Sequence, residues 1–386
     1  MKKILFVSSR NPFSNIYSGD RIRAKSILSH LSQKNKVDLL CSDSHENFSS
    51  RIENFKGKIY FFKYNKFLQI LNSIFFLIKL KPMQAGFFYS SEIKEFTKKN
   101  HQKYDIIIFH LLRCAEYLPI EFEGRKIMEM TDVSSNNYKQ TIKKLSIFNP
   151  LFYLYLLEFL LIKKFEKYYS KIFDKTVIVS RKDLFSNEDL IKNKTLVIPL
   201  GCQINKKLFT FKKENNKILF IGNINYLPNR YACNDFIRNI FPKILKKNKN
   251  INFDIVGEIN KKDKIIFSQY KNVKVHGPLK NLDKIIKKSI CGIANLEIAT
   301  GFQFKILTYM SYGLPVISSF NSFSGASNIS KDKDILVYKK NDKFIKYLQN
   351  LIINKKLALK LSNNSYKKIK NKFSWKEILK SYDKIL

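Results

Sequence analysis

Cysteines are few in this sequence, and their spacing excludes the sites that cysteines usually form. The five lie far apart and no two make a C-x-x-C pair. No other paired spacing suggests a disulfide framework or a zinc site either. We therefore expect a protein of the reducing cytoplasm. The cysteines are Cys41, Cys114, Cys202, Cys233 and Cys291.

Long apolar runs are also missing. A membrane-spanning helix needs about 20 apolar residues, whereas Phe67–Leu80 and Leu151–Ile162 are shorter and contain Lys79 and Glu158, respectively. Neither segment is expected to span a membrane. Each is either an amphipathic helix packed inside the protein or a helix at a membrane surface. The first ten residues, MKKILFVSSR, have too short an apolar stretch for a signal peptide and predict a buried strand.

Several catalytic and binding motifs are absent. No G-x-G-x-x-G follows the first strand, and neither G-x-x-x-x-G-K-[ST] nor G-x-S-x-G occurs, which argues against dinucleotide, P-loop and serine-hydrolase chemistry. No zinc-finger spacing, basic zipper or aromatic RNA-binding strand is present, so nucleic acid is not an expected partner. Asp332-Lys333-Asp334 has a D-x-D spacing that can hold a metal against a diphosphate, but it stands among lysines and predicts a turn. No metal is expected.

Acidic residues are scarce, with 31 against 71 basic residues in 386, a formal net charge of +40. The excess is spread along the chain, +15 in residues 1–200 and +25 in residues 201–386. A hydrophobic content of 45% argues against intrinsic disorder, which pairs high charge with low hydrophobicity. Lysine dominates the excess, and three explanations stay open: genome bias, an anionic membrane surface, and anionic substrates.

Short apolar strands alternate with helices along the chain. This alternation predicts an α/β fold with parallel sheets covered on both faces. The polar, lysine-rich segment 205–216 follows a boundary near residue 200, so we predict two Rossmann-like domains, 1–200 and 201–373. The predicted strands are Ile4–Val7, Val37–Cys41, Ile59–Phe62, Ile106–Phe109, Lys126–Met130, Thr176–Val179, Lys217–Ile221, Phe253–Val256, Val273–Val275, Gly292–Asn295, Leu314–Ser318 and Ile335–Val337.

Ligands of open α/β sheets bind beyond the carboxyl ends of the strands, and with two such domains we expect the site in the cleft between them. The strongest motif there is GFQFKILTYMSYGLPVIS, residues 301–318. A glycine permits close backbone approach, a helix begins, and Lys305 adds a positive charge in its first turn, which together favour an anion such as a diphosphate. Gly313 suits the left-handed end of this helix. The alternative is an ordinary βαβ unit with a solvated lysine.

This segment resembles the donor-binding region of GT-B glycosyltransferases, particularly the retaining group called family 4, in which a small-residue loop, a basic residue and a helix ending in M-x-x-G-x-P-V-I-S follow in the same order. Four other stretches resemble the family in sequence and order, so that the similarity extends over nearly the whole chain. They are KKILFVSSRNPFSNIYSGDRIRA, HLLRCAEYL, MEMTDVSSNNY and ILFIGNINYLPN.

The resemblance implies a GT-B fold, with two Rossmann-like domains facing across a cleft and residues 374–386 returning to the first domain. It implies a hexosyltransferase-like enzyme that transfers a sugar, with retention, from a UDP- or GDP-linked donor to a hydroxyl of a glycan or lipid-linked acceptor. No metal or other cofactor is implied. The expected setting is surface polysaccharide or lipopolysaccharide biosynthesis, in the cytoplasm at the inner face of the cell membrane.

The resemblance also assigns residues. Three are implied to be catalytic: His110 facing the donor sugar, Lys305 neutralising the leaving diphosphate, and Asp132 accepting from an acceptor hydroxyl. Asp20 and Arg113 are placed on the acceptor side. Three alternatives stay open, a core or loop imidazole for His110, a helix cap for Asp132, and an uninvolved surface arginine for Arg230. The implied donor-binding residues are Gly19, Gly222, Asn223, Arg230, Gly301, Gln303, Lys305 and Thr308.

The sequence departs from the family pattern in the donor region. Thr300 and Thr308 stand where family members have two glutamates eight positions apart, and Gln303 replaces an arginine. A threonine hydroxyl can still bond a ribose hydroxyl, but a carboxylate accepts more strongly. Two alternatives therefore remain beside the enzyme, a non-catalytic GT-B binding protein with a decayed donor site and a GT-B nucleotide-sugar epimerase.

Overall fold

The computed structural model describes residues 1–14, 18–43, 55–187, 190–299, 301–326 and 328–386. The chain divides into two compact units. The first unit comprises Met1–Pro199 with Leu379–Leu386, and the second comprises Leu200–Ile378. The sequence places these boundaries at residues 200 and 374.

The first unit has a seven-stranded parallel sheet in the order β3-β2-β1-β4-β5-β6-β7. Its central strand β1 pairs with β2 at Ile4 and Val37 and with β4 at Ile4 and Ile106. Four successive residues of β1, Ile4–Val7, are fully buried, as expected of a parallel strand covered on both faces. The strands are β1 (Lys3–Ser8), β2 (Lys36–Asp43), β3 (Ile59–Lys63), β4 (Ile106–His110), β5 (Arg125–Thr131), β6 (Lys175–Ile178) and β7 (Thr195–Val197).

Helices cover the strands of the first unit. The helix after β1 buries Ala24, Ile27, Leu28 and Leu31, a spacing that places these side chains on one helix face. The helices are α1 (Gly19–Leu31), α2 (Lys66–Ile78), α3 (Met83–Phe87), α4 (Ser91–Asn100), α5 (Ser134–Ile142), α6 (Pro150–Ile172) and α7 (Arg181–Ser186), with short 3-10 helices at His101–Lys103, Leu112–Tyr117 and Tyr382–Lys384.

The second unit has a six-stranded parallel sheet in the order β10-β9-β8-β11-β12-β13. The strands are β8 (Lys217–Ile221), β9 (Asn252–Val256), β10 (Val273–Gly277), β11 (Ser289–Ala294), β12 (Val316–Ser319) and β13 (Leu336–Tyr338). The helices are α8 (Leu227–Asp235), α9 (Phe241–Lys247), α10 (Lys261–Ser268), α11 (Asp283–Ile286), α12 (Phe304–Ser311), α13 (Phe320–Phe323), α14 (Asn341–Ile353), α15 (Lys355–Lys372) and α16 (Trp375–Leu379), with a π-helical turn at Phe236–Ile240.

The predicted fold class is confirmed: two parallel sheets, each in an α/β unit of Rossmann-like topology. In each sheet the strand order reverses at one point, between β1 and β4 in the first unit and between β8 and β11 in the second. At such a switch point, neighbouring connections leave to opposite faces of the sheet and open a crevice at the carboxyl ends. The fold therefore directs attention to the residues that follow β1, β4, β8 and β11.

Two turns agree with the sequence. Gly313 has φ +70° just past the end of α12, and the N–H groups of Gly313 and Leu314 donate to the carbonyls of Met310 and Tyr309, the left-handed helix end predicted for it. Residues 332–334 form a turn in which the Asp334 carboxylate accepts from the backbone of Ser330 and pairs with Lys368.

The two apolar segments form α2 and α6. No helix among the described residues is long and apolar enough to cross a membrane. For α2 the interpretation as a helix packed inside the protein is wrong, because most of its apolar side chains are exposed. In α6, Glu158 is buried and accepts from the backbone N–H groups of Met83 and Gln84 at the start of α3. That contact explains an acidic residue in an apolar run.

Candidate active site

Two neighbouring strands of the second sheet, β8 and β9, are each followed by a glycine. Gly222 follows β8, and a Cβ added there would lie 3.0 Å from Nδ2 of Asn229. Gly257 follows β9 with φ +141°, and its added Cβ would overlap the carbonyl of Gly222. Gly257 needs glycine both for space and for its backbone angle, and a Cβ at Gly222 would press on the Asn229 side chain. The two glycines let Asn229 and the turns after β8 and β9 pack closely.

Lys305 lies in the first turn of α12 and is 7% exposed. Its Nζ donates to Oδ1 of Asn229 at 2.7 Å and lies 3.8 Å from the centroid of the Phe220 ring. Among the described residues, no carboxylate forms an ion pair with it. Burial lowers the pKa of Lys305 to about 7, because desolvation disfavours the charged form. This buried cation has only neutral partners.

Asn229 connects Lys305 to the loop after β8. Its Oδ1 accepts from Lys305, and its Nδ2 donates to the carbonyl of Asn223 at 2.8 Å. Oδ1 of Asn223 accepts from the N–H of Asn225 at 2.9 Å, which tightens the same loop. Asn229 was missed in the sequence, although its place in the first turn of the helix after β8 was a signal that could have found it.

Arg230 lies beside Asn229 but is partly exposed, and its Nη1 is 3.5 Å from Oδ2 of Asp263 in the first turn of α10. Arg230 therefore already has an acidic partner within the second unit. The alternative that Arg230 is a surface arginine without a role in donor binding stays open.

The other predicted donor residues surround the start of α12. Gly301 has φ +61°, and Gln303 is the N-cap residue, without a side-chain capping bond. Thr308 is partly buried, and its hydroxyl donates to the carbonyl of Phe304 one turn earlier at 3.2 Å. That bond uses the hydroxyl hydrogen and leaves its oxygen able to accept. Thr300 lies outside the described residues.

At the switch point of the first sheet, Asp20 sits between two arginines. It is the second residue of α1, and its Oδ2 lies 3.1 Å from Nη1 of Arg10 and 3.8 Å from Nη2 of Arg113. Burial by itself would raise the pKa of Asp20, but Arg10 and Arg113 outweigh it and hold that pKa well below its usual range. Asp20 is therefore ionised. A Cβ on its neighbour Gly19 would meet nothing within 4 Å.

Arg113 is held on three sides. Its Nε donates to Oγ of Ser9 at 2.6 Å, and its guanidinium carbon lies 3.9 Å from the Phe88 centroid. Arg10 lies over the same ring at 5.1 Å. Arg10 was not singled out in the sequence, though a basic residue two positions after the first strand of a parallel sheet was a signal for this position.

His110 ends β4 and is 1% exposed. Its Nε2 lies 3.2 Å from the carbonyl oxygen of Asp20, and its ring stacks on Phe6 at 5.7 Å. Burial lowers the pKa of His110 to about 4, so the ring is neutral. Because a carbonyl only accepts, Nε2 carries the hydrogen and Nδ1 is an acceptor, and Nδ1 is without a partner among the described residues.

Asp132 follows β5, after Thr131 with φ +67°. Burial, assisted by the nearby Asp183 carboxylate, raises the pKa of Asp132 to about 7. Its Oδ1 has no hydrogen-bond partner within the described ranges. Helix α5 has Val133 at its N-cap position and no side-chain capping bond. Asp132 is thus a poorly solvated carboxyl group, and the helix cap is not its role.

A buried charge network lies beneath this edge and was missed in the sequence. Arg23 donates to Oε1 of Glu129 at 2.7 Å and to the carbonyls of Ile198 and Pro199 at 3.1 and 3.0 Å. The hydroxyl of Tyr382 bonds both to Arg23 and to the Glu129 carboxylate. The network ties the carboxyl-terminal segment to the first sheet. Elsewhere, no group of three or more His, Cys, Asp or Glu side chains in the part of the chain that is described could hold a metal ion.

Two parallel sheets of this topology define the GT-B fold, and comparison with solved structures confirms it. Sucrose-phosphate synthase from Thermosynechococcus elongatus matches with a TM-score of 0.75 at 13% identity, covering 100% of this chain and 98% of that chain. HepE from Anabaena, solved with UDP-glucose, matches with a TM-score of 0.69 at 11% identity over 100% and 99%. WaaB, a lipopolysaccharide outer core galactosyltransferase in its apo form, matches with a TM-score of 0.59 at 12% identity over 99% and 98%.

The family can be named for part of the chain. Residues 215–354, most of the second unit, match the model of the family Glycosyl transferases group 1. No curated protein matches the sequence. The resemblance noted in the sequence is thus confirmed at the level of the fold for the whole chain, and at the level of the family for this segment.

Proposed function

We propose that the protein is a glycosyltransferase that moves a hexosyl group from a UDP- or GDP-linked donor to a hydroxyl of a glycan or lipid-linked acceptor, with retention. The observation that carries this proposal is the buried Lys305, a cation with neutral partners at the switch point of the second sheet. The family match of residues 215–354 supports glycosyl transfer. UDP-glucose in HepE, a protein of the same fold, supports a nucleotide-sugar donor.

The chemistry of the donor explains why an unpaired lysine would be useful. Transfer of the sugar leaves a nucleoside diphosphate, and stabilising the charge that develops on it is the main catalytic demand. The Lys305 ammonium has three N–H donors, of which one is bonded to Asn229. A phosphate nearby would raise the pKa of Lys305 again, because an opposite charge favours the protonated form. Gly222 and Gly301 would let the main chain approach the same phosphates, beside Asn223 and Gln303.

Residues of the first unit are proposed to serve the sugar and the acceptor. His110, neutral and with Nδ1 unpartnered among the described residues, would contact the donor sugar. Asp132, with a raised pKa, would accept a hydrogen bond from the acceptor hydroxyl. Asp20 and Arg113 would hold the acceptor in place through their fixed charges, with Gly19 leaving the space open.

The proposed setting is surface polysaccharide or lipopolysaccharide biosynthesis in the cytoplasm, without a required metal or other cofactor. WaaB, of the same fold, is a lipopolysaccharide galactosyltransferase, which supports an acceptor of this kind. The second candidate is a non-catalytic nucleotide-binding protein, favoured by Thr308 and Gln303 at positions where the family has charged residues. The epimerase alternative differs from both, since it would act without any acceptor.

Calorimetric titration with UDP and with GDP tests the donor site. We expect one of them to bind to the wild-type protein, and the variant Lys305→Met to bind it at least about tenfold more weakly, since a charge-assisted bond is lost. The matched control is Lys339→Met, which removes an exposed lysine that also lies over a phenylalanine ring of the second unit, at 4.8 Å from the Phe320 centroid. Absence of binding to either nucleotide at millimolar concentration would exclude the proposal.

Turnover separates the three candidate functions. A transferase releases the nucleotide only when an acceptor is present, a binding protein releases none, and an epimerase converts the free nucleotide sugar without an acceptor. Retention is read from the anomeric configuration of the product by NMR. Activity that survives a chelator supports the absence of a metal requirement, and activity restored only by a divalent cation contradicts it.

A further inference from the structure

Helix α2 turns its apolar face toward solvent and packs a partly polar face against the rest of the first unit. Its inward residues include Gln69 and Ser73, both 7% exposed, whereas Phe67 and Ile78 on its outer side are 67% and 74% exposed. In a water-soluble protein the apolar face of a surface helix normally packs on the core. Here that face points outward. The exposed apolar side chains of the helix and its end are Phe67, Leu68, Ile70, Leu71, Ile74, Phe75, Ile78 and Leu80.

The orientation of α2 is fixed by its contacts with α3. Gly86 of α3 lies so close to α2 that an added Cβ would overlap the carbonyl of Asn72 and press on Phe76. The Asn72 side chain donates to the carbonyl of Tyr89 at 3.3 Å, and Phe76 is buried. Rotating the helix to bury its apolar face would break these contacts. The outward apolar face is therefore part of the folded structure.

Helix α6 extends the same surface. Glu158 of α6 accepts from both backbone N–H groups that begin α3, at 2.8 and 3.0 Å, so that α3 connects α2 to α6. The amino-terminal part of α6 is exposed and apolar, and so is the segment just before it. We call the exposed apolar residues of α2, of α6 and of the segment just before α6 the apolar face. Besides those of α2, they are Ile147 and Phe148 before α6, and Leu151, Tyr153, Leu154, Leu157 and Leu160 within it.

The charged residues of the two segments that carry the apolar face are of one sign. Residues 54–91 contain no Asp or Glu, and residues 133–157 contain none either. Lys81 pairs with Glu116 from outside these segments, at 2.7 Å. The other lysines of the two segments are Lys56, Lys58, Lys63, Lys66, Lys79, Lys139, Lys143 and Lys144. In an isologous dimer the same patch lies on both sides, so a second copy of this chain would bring like charges together. An anionic surface complements them.

We propose that the apolar face docks on an anionic lipid membrane, with α2 lying in the plane of the headgroups and its lysines at the phosphate level. A 13-residue helix is too short to span a bilayer but suits interfacial binding, in which the apolar face enters the headgroup boundary and basic residues bind anionic lipids. The inference concerns the first unit alone and does not rest on the proposed glycosyl transfer.

Co-sedimentation of the full chain with vesicles tests the docking. We expect binding to vesicles of phosphatidylglycerol and phosphatidylcholine in equal parts, little binding to phosphatidylcholine alone, and a steep loss with added salt, since each well-placed lysine contributes about fivefold to binding and exposed charges are screened. Binding that is equal on both vesicles, or no binding to anionic vesicles at low salt, overturns the proposal.

A matched pair of variants tests the location. The double variant Ile74→Glu with Ile78→Glu should lower the partition coefficient about a hundredfold, because two apolar side chains no longer enter the membrane. The control, Ile265→Glu with Ile353→Glu, makes the same charge change at two exposed isoleucines of the second unit and should bind within about threefold of wild type, a loss that reflects net charge alone. Equal loss in both variants overturns the assignment to α2. Titration of the same variants with UDP tests the donor site separately from membrane binding.

A fluorescence reporter covers the case in which the charged variant fails to fold. Trp375 is the single tryptophan, so Phe75→Trp adds a signal on the apolar face and Ile353→Trp adds one away from it. Vesicles should shift the emission of Phe75→Trp to shorter wavelength and leave that of Ile353→Trp unchanged. An unshifted Phe75→Trp in the presence of bound vesicles, or a vesicle-free dimer that Ile74→Glu with Ile78→Glu dissolves, overturns the proposal.

Discussion

At the switch point of the first sheet, the carboxylates of Asp20 and Glu129 each have an arginine beside them. At the switch point of the second sheet, Lys305 has an amide oxygen and an aromatic ring. The pKa values of Asp20 and Lys305 reflect this difference. The arginines hold the pKa of Asp20 well below its usual range, whereas burial lowers that of Lys305 to about 7.

The difference indicates which buried charge is compensated within the chain and which needs an external ligand. A buried charge costs free energy unless an opposite charge or hydrogen bonds compensate for it. For Asp20 and Glu129 the first unit supplies that compensation from its own chain, and these pairs fix the positions of β1, β4 and β5 relative to α1. The second unit leaves Lys305 without an opposite charge among the described residues, and we expect an anionic ligand to provide it.

The largest expected effect comes from leaving one charge of the first unit unpaired. Glu129→Gln keeps the shape of the side chain but removes the charge opposite Arg23, and both are fully buried. We expect a loss of about 3–5 kcal/mol in the free energy of unfolding, typical for a buried pair that loses one partner. Urea unfolding followed by circular dichroism measures it.

The control for Glu129→Gln is Asp383→Asn, which removes the charge from a solvent-accessible carboxylate that contacts His30 and Lys34 in the same unit. Exposed pairs contribute about 0–1 kcal/mol, so this variant should stay close to wild type. If Glu129→Gln is no less stable than Asp383→Asn, the buried charges of the first unit are not mutually compensated and the contrast between the two units disappears.

The second prediction concerns catalysis at the unpaired lysine. In Lys305→Met the turnover number should fall by about 10²–10³-fold, typical for removal of one group that stabilises developing charge. The loss of donor affinity should be smaller, because the charge on the diphosphate is largest when the bond to the sugar breaks. Steady-state kinetics with wild type and Lys339→Met as references measure both quantities. A loss of affinity with an unchanged turnover number would assign Lys305 to binding alone.

Much of the fold could be predicted from the sequence, because short buried strands and one-sided helices leave a local pattern. Ile106–Phe109 and Lys217–Ile221 are apolar runs of strand length, and both form strands of the two sheets. Gly313 could be predicted for the same reason, since the end of a helix is decided within a few residues.

The pairings inside the units could not be predicted. Arg23, Glu129 and Tyr382 meet although up to 359 positions separate them, and no local periodicity shows which charges will share a buried site. The outward orientation of the apolar face of α2 could not be predicted either. A sequence shows that a helix has an apolar side, but the neighbour that fixes the other side, here Gly86 of α3, is known only from the packing. The roles assigned to His110, Asp132 and the donor residues stay predictions.

The third prediction is a pH dependence of donor binding that arises from Lys305. In the proposed function the protonated form of Lys305 binds the diphosphate, and the pKa of Lys305 in the free protein is about 7. Affinity for UDP-glucose should be constant below pH about 7 and weaken by up to about tenfold per pH unit above it. Lys305→Arg should remove this dependence, because arginine stays protonated. A wild-type affinity that is flat from pH 6 to pH 9 would mean that Lys305 remains charged without a ligand.

The same pKa predicts the sign of a stability change. The folded protein holds the proton of Lys305 less tightly than the unfolded chain does, so between pH about 7 and the ordinary lysine pKa the unfolded state binds more protons. The free energy of unfolding of the ligand-free protein should therefore rise with pH in this range, relative to Lys305→Met. A difference between the two proteins that falls with pH would contradict the lowered pKa.

The smallest effect is expected at Thr308, where the family has a carboxylate. Its hydroxyl donates to the carbonyl of Phe304 and keeps its lone pairs for a ribose hydroxyl. Thr308→Val should weaken UDP binding about three- to tenfold, the contribution of one hydrogen bond, and should bind UDP and its 2′- and 3′-deoxy analogues equally. Stability should change by less than about 0.5 kcal/mol, because such a bond to the preceding turn adds little to a helix.

Thr141→Val removes the same kind of bond, from the Thr141 hydroxyl to the carbonyl of Asn137 at 2.9 Å, in α5 of the first unit, and should leave UDP binding unchanged. If both valine variants bind UDP as the wild type does, Thr308 does not contact the ribose. The second unit would then hold its donor through Lys305 and the main chain alone, and the contrast with the side-chain pairs of the first unit would become sharper.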